Sequence, residues 1–240
     1  MSAPNNFIIT NQTINMGLIA RNLNRTGNGN SKTVLDAGCG YGENLIPIKK
    51  RYPNFNLIGV DKHKQTILEA KRIFSNIAKF ICDDCLNLSL PSKTVDIVLS
   101  NQVIEHIWDY NTYLSEISRV LKNKGFLIIS TPNSHCPKNT FLKIIGHRPI
   151  LRWENTRNLP PGEFRGHVQE FKADELIGIM EHHNFTLLES CPITPKPTLS
   201  GNWVFNIYSI LEYIWYLLTK PFVNKGYSKN HNMIFKLNDI

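Results

Sequence analysis

Three short segments carry residue types that could do chemistry together. The first is Asp36-Ala37-Gly38-Cys39-Gly40-Tyr41-Gly42. Glycines at 38, 40 and 42 allow a backbone to approach a ligand where a side chain would clash. The pattern is GxGxG, and Glu43 stands where the third glycine of a dinucleotide fingerprint would be, which argues against a nicotinamide cofactor. A purely structural glycine turn is the alternative. The second segment ends in Asp61, 25 residues after Asp36. An acid there can accept both hydroxyls of a ribose, or cap the next helix. The third is Cys82-Asp83-Asp84-Cys85. Asp84 can accept from the amine of an adenine, and the Cys85 N–H can reach the neighbouring ring nitrogen. The CxxC spacing invites zinc, but no second cysteine or histidine pair completes four ligands. The two thiols are therefore expected to be small buried apolar residues, without a redox role.

These segments need a scaffold that brings them to one place. Thr33–Gly38, Phe55–Asp61, Lys79–Cys82, Thr94–Ser100 and Phe126–Thr131 are short apolar runs that read as buried strands. Between them, Asn44–Arg51, Gln65–Phe74 and Tyr110–Leu121 carry helical apolar spacing. Gly125 is expected as the left-handed cap that ends the last of these helices. A helix at Ala173–His182 and strands at Phe185–Ser190 and Met233–Leu237 follow. Alternating strands and helices predict an α/β fold, a parallel sheet covered on both faces. Such sheets bind ligands beyond the carboxyl ends of their strands, where each of the three segments falls.

Composition narrows the class. The chain has 240 residues, 42% hydrophobic, with a net charge of +8. That excludes a disordered or collagen-like chain. The charge is compatible with an anionic partner, but the basic residues are scattered. Five cysteines in a long mixed chain, with no secretory pattern at the start, predict a reduced, cytoplasmic protein. Residues 1–30 read as an N-terminal cap segment and 31–240 as one domain. That domain carries insertions at 132–170 and 200–225.

VLDAGCGYGENL, LIGVD, CDDCLNLSLPSKTVDIVLSNQVIEHI and YLSEISRVLKNKGFLIISTPN, in that order, resemble the class I S-adenosylmethionine-dependent methyltransferase family. The resemblance implies a Rossmann-like seven-stranded sheet of order 3-2-1-4-5-7-6 with its last strand antiparallel. It implies S-adenosyl-L-methionine as cofactor. Asp36, Gly38, Cys39 and Gly40 would flank its methionine moiety, with Ser100 and Asn101 beside the methionyl group. Asp61 and Lys62 would hold the ribose, and Asp84 and Cys85 the adenine. Leu88-Ser89-Leu90 departs from the Leu-Pro-Phe of many members without touching a cofactor contact.

An oxygen acceptor benefits from a base, and histidine suits that role near neutral pH. His106, His167 and His135 are the candidate catalytic residues, each with the alternative of an ordinary hydrogen-bonding histidine. Glu105 is placed to orient His106 or, as in some relatives of the family, to help hold a divalent ion; no essential metal is expected here. Ser100-Asn101-Gln102-Val103 lacks the Asn/Asp-Pro-Pro-Tyr/Phe motif of enzymes that methylate base amines, so no nucleic-acid substrate is expected. The 132–170 insertion resembles the acceptor caps of enzymes of glycan and lipid-linked sugar biosynthesis. Its Arg148, Arg152, Arg157 and Arg165 suit a phosphate or carboxylate, and Trp153 and Phe164 suit a ring.

Residues 202–222 form an almost wholly apolar stretch, rich in Trp and Tyr. It suits a buried helix, a homodimer face or peripheral contact with the cytoplasmic membrane face. The expected activity is O-methylation of a hydroxyl on a sugar or lipid-linked glycan precursor. The alternatives are a quinone or other small-molecule O-methyltransferase and a non-catalytic cofactor-binding module.

Overall fold

The computed structural model describes residues 31–134, 166–191, 214 and 230–239. Seven strands form one sheet. They are β1 (Thr33–Ala37), β2 (Asn56–Asp61), β3 (Lys79–Cys82), β4 (Val95–Asn101), β5 (Leu121–Pro132), β6 (Phe185–Ser190) and β7 (Asn230–Leu237). Their order is β3-β2-β1-β4-β5-β7-β6. The five strands from β3 to β5 pair in parallel, and β7 runs antiparallel to both β5 and β6. The expected Rossmann-like sheet is present, and β7 begins earlier than the apolar run suggested.

The helices are α1 (Leu45–Arg51), α2 (Lys64–Phe74), α3 (Tyr110–Val120) and α4 (Ala173–His182), with a 3₁₀ turn at Ile104–His106. One face of the sheet packs Leu35, Val98, Leu127 and Ile129 against Tyr113, Leu114 and Ile117 of α3 and Leu176 and Met180 of α4. The other packs Val34, Leu57, Ile97 and Ile128 against Leu45 and Ile48 of α1 and Ile67 and Ala70 of α2. Alternate strand residues serve alternate faces, which explains why continuous apolar runs are needed here. Asp96 ties the amino ends together. Its carboxylate accepts from the Thr33 N–H at 2.9 Å and from Lys122 Nζ at 2.8 Å.

Gly125 does not end α3. The helix stops at Val120, and Lys124 takes the left-handed conformation, at φ 65°. Between Leu121 and Phe126 the strand β5 carries extra residues relative to β4. A Cβ at Gly125 would sit 2.8 Å from the Lys122 carbonyl oxygen, so its glycine serves that irregular stretch.

Candidate active site

The glycine segment leaves β1 at the carboxyl edge of the sheet. Gly38 and Cys39 both donate their N–H to the Val60 carbonyl at 2.8 Å, which pins the loop to β2. Gly38, Gly40 and Gly42 all have positive φ. They do different jobs. A Cβ at Gly38 would lie 2.6 Å from the Val103 side chain, and one at Gly42 would strike the Phe80 ring. Only Gly40, at φ +52°, faces open space. The close-approach role expected of three glycines therefore falls to Gly40, and the other two make room for protein side chains.

Asp36 is fully buried, and neither carboxylate oxygen has a hydrogen-bond partner. Burial raises its pKa to about 7; the approach of Asn44 offsets a little of this, and the Asp61 charge adds to it. Asp61 caps no helix directly. Its Oδ2 accepts from the Gly40 N–H at 3.0 Å and its Oδ1 from the His63 N–H at 2.9 Å, while His63 occupies the cap of α2. Asp61 thus holds the glycine loop and the turn after β2 in register. Lys62 beside it is exposed.

Asp84 is exposed after β3, and its Oδ1 accepts from the Leu86 N–H at 2.9 Å. Asp83 is tied instead to Ser89, whose N–H and hydroxyl both donate to its Oδ2 at 2.7 Å. The two thiols of this loop differ. Cys85 is buried as expected, with burial pushing its thiol pKa up to about 12, but Cys82 is exposed. Cys39 is buried toward α1 and α2. At the end of β4, Ser100 is buried and accepts from the Tyr113 hydroxyl at 2.9 Å. The Asn101 amide donates to Asn44 at 3.4 Å, and its own Oδ1 is buried without a partner.

The 3₁₀ turn after β4 carries the second half of the site. Glu105 is fully buried; Thr131 Oγ1 donates to its Oε2 at 3.0 Å, and Oε1 has no partner. Burial, above all, raises its pKa to about 7. Glu105 does not orient His106. That ring is held by the Gly166 carbonyl, 2.9 Å from Nδ1, which fixes Nδ1 as the protonated nitrogen and leaves the lone pair on Nε2. Burial is the main cause that holds its pKa below the usual histidine value. His167 stands beside it, with ring centroids 5.1 Å apart and Nδ1 3.3 Å from Glu170 Oε1. One ligand-type atom from each of Glu105, His106 and His167 lies within 4.8 Å of the others.

The segment bearing His167 is clamped to the turn. The N–H groups of Val168 and Gln169 donate to the Glu105 carbonyl, and the Gln169 amide donates to the Ile107 carbonyl at 2.7 Å. The Ser134 N–H donates to the Phe171 carbonyl, so the strands of chain on either side of residues 135–165 meet at this edge. Gln169 and Thr131, which bond the turn and Glu105, were not singled out from the sequence, because nothing in their spacing marks contacts across the fold. His135, Arg148, Arg152, Trp153, Arg157, Phe164, Arg165 and almost all of 202–222 lie outside the described residues. No described helix is long and apolar enough to cross a membrane.

Comparison with known proteins agrees with this architecture. A family model described as a methyltransferase domain matches residues 12–190. A Mycobacterium tuberculosis protein named "Probable S-adenosylmethionine-dependent methyltransferase" is 29% identical over 171 residues, 70% of this chain and 54% of its own. The chain spans about half the length of the curated relatives it matches first. The ubiquinone biosynthesis O-methyltransferase of Bradyrhizobium diazoefficiens is 29% identical over 186 residues, 75% of this chain and 70% of its own. Among solved structures, a SAM-dependent methyltransferase from Methanosarcina mazei superposes with a TM-score of 0.59 at 16% identity, covering 88% of this chain and 94% of that one. A geranyl diphosphate methyltransferase in complex with SAM superposes with a TM-score of 0.56 at 14% identity, covering 88% and 79%. With three quarters of its length matched by the family and the sheet order expected of it, this chain belongs to the S-adenosylmethionine-dependent methyltransferases.

Proposed function

We propose that the chain transfers a methyl group from S-adenosylmethionine to a hydroxyl oxygen, with the Glu105, His106 and His167 cluster facing the acceptor. The observation that carries this reading is the gathering of those three groups at the turn after β4, just past Val103, whose side chain packs at Gly38 of the glycine loop. The residues of the loop fit the cofactor. Gly40 leaves open space, and the buried oxygens of Asp36 and Oδ1 of Asn101 have no hydrogen-bond partner among the described residues. Asp61 would take the ribose hydroxyls and Asp84 the adenine amine. When bound, the cofactor supplies a methyl group on a sulfonium whose leaving group departs neutral.

The chain's own work is alignment, exclusion of water and removal of the acceptor proton. Alignment alone supplies several kcal/mol. His106 presents a neutral Nε2, the state a general base requires. His167, turned by Glu170, stands next to it. Trp108, two residues past His106 in the chain, is 72% exposed. An exposed indole suits a sugar or another flat ring.

The acceptor we assign is a hydroxyl of a sugar or glycan precursor, in keeping with the arginine- and aromatic-rich composition of residues 132–170. A phenolic hydroxyl of a quinone precursor is the second reading, favoured by similarity to the ubiquinone O-methyltransferases. A labelled-methyl assay against cell extract split into glycan, lipid and small-molecule fractions separates them. Label in the glycan fraction supports the first reading. Label confined to an extractable lipid supports the second, and label in amine products would overturn both.

A further inference from the structure

We infer that Glu105, His106 and His167 form a binding site for one divalent transition-metal ion. The sequence offers Glu105 beside His106 with no essential metal expected; the fold adds His167 to the pair. In the fold, two imidazoles and one carboxylate bring a ligand-type atom each within 4.8 Å of the others. Around a bound zinc ion, ligands at about 2.0–2.1 Å would stand about 3.4 Å apart, so the site needs only a small contraction.

The surroundings are those of a held ligand set. The His106 Nδ1 donates to the Gly166 carbonyl and the His167 Nδ1 to the Glu170 carboxylate, which puts the lone pair of each ring on Nε2. An acceptor behind each ring is the arrangement that orients imidazole ligands on a metal. Thr131 holds one oxygen of Glu105, and the other, Oε1, is fully buried with no partner among the described residues. A buried, unpaired carboxylate oxygen is costly unless something binds it. Two nitrogens and one oxygen suit zinc, manganese, cobalt or iron(II) better than magnesium or calcium, which prefer all-oxygen sets.

Three protein ligands leave a coordination position open. That position would hold the acceptor oxygen and make its hydroxyl more acidic, in place of the imidazole base. This role rests on the proposed transfer to a hydroxyl; the binding of the ion does not.

The test uses the full chain, stripped with chelator and titrated with cobalt(II), read by visible absorption and by calorimetry. The account expects one equivalent to bind, with Glu105→Gln and His167→Ala each weakening it by about tenfold or more. His183→Ala, an exposed histidine paired with Asn111, serves as the control and should bind as the parent does. S-adenosylhomocysteine binding, measured on the same samples, reports that each variant is folded. No cobalt bound by the parent chain would overturn the inference. So would equal binding in both cluster variants, which would place the ion elsewhere. Loss of S-adenosylhomocysteine binding in the parent chain would instead sink the functional reading and leave the cobalt result standing.

Discussion

Asp36 and Asp61, on adjacent parallel strands, are held in opposite ways. Both oxygens of Asp61 accept backbone N–H groups, from Gly40 and His63, whereas the oxygens of Asp36 accept none. One carboxylate organises the glycine loop, and the other is buried with no hydrogen-bond partner among the described residues. Two acids whose environments separate them in this way mark different roles within one site.

Asp61→Ala should weaken S-adenosylhomocysteine binding while the protein stays folded. Losing the bonds to Gly40 and His63 should cost about 1–3 kcal/mol of stability. Chemical denaturation and calorimetry on the same variant separate the two effects. Unchanged affinity would mean that Asp61 does not touch the ribose.

Stability of the ligand-free protein should fall as pH rises between about 4 and about 7. Folded Asp36 keeps its proton up to about 7, while the unfolded chain ionises near 3.8. Its contribution is therefore complete below the unfolded value and is lost as pH climbs toward the folded one. Asp36→Asn should remove this part of the slope, on the order of a few kcal/mol at most, and should lower cofactor affinity. Denaturation midpoints across that pH range check it, and an unchanged slope would contradict the burial argument.

The three glycines should separate by substitution. Gly38→Ala meets Val103 as well as an unfavourable backbone, so it should destabilise more than Gly40→Ala, and Val103→Ala should restore part of the loss. Gly40→Ala carries only the backbone cost of about 1–2 kcal/mol, yet should lower cofactor affinity further than its stability loss implies. Melting temperatures with and without S-adenosylhomocysteine read both quantities.

Gln169→Leu leaves the Ile107 carbonyl without its donor and loosens the turn that carries His106. A stability loss of about 1–3 kcal/mol is expected. Turnover should drop more than cofactor affinity, because the clamp lies on the acceptor side. Equal losses in both would make Gln169 a general structural residue.

Much of this fold was legible in the chain because buried parallel strands must be largely apolar, as Ile97–Leu99 and Leu127–Ile129 are. The placement of Gly40, Asp61 and Asp84 was legible for a related reason: each follows or ends a strand, so its position in the chain fixes its place on the edge. The end of α3 was not. A glycine after a helix is ambiguous between a cap and an irregular strand, and only the contact with the Lys122 carbonyl distinguishes them. The acceptor side was half legible. His106 and Glu105 sit next to β4, but their partners Gly166, Thr131 and Gln169 come from distant segments that only packing brings near. The difference between Cys82 and Cys85 likewise lies in which way a loop turns, which side-chain type does not encode.

The central claim is that the loops after β1, β2 and β3 together grip an adenosyl group. Its most direct measurement is the melting temperature of the parent chain and of Asp61→Ala titrated with S-adenosylhomocysteine. The parent should rise by several degrees, following the logarithm of ligand over dissociation constant, and the variant should need far more ligand to match it. A parent chain that melts cooperatively and does not shift at any concentration would contradict the account.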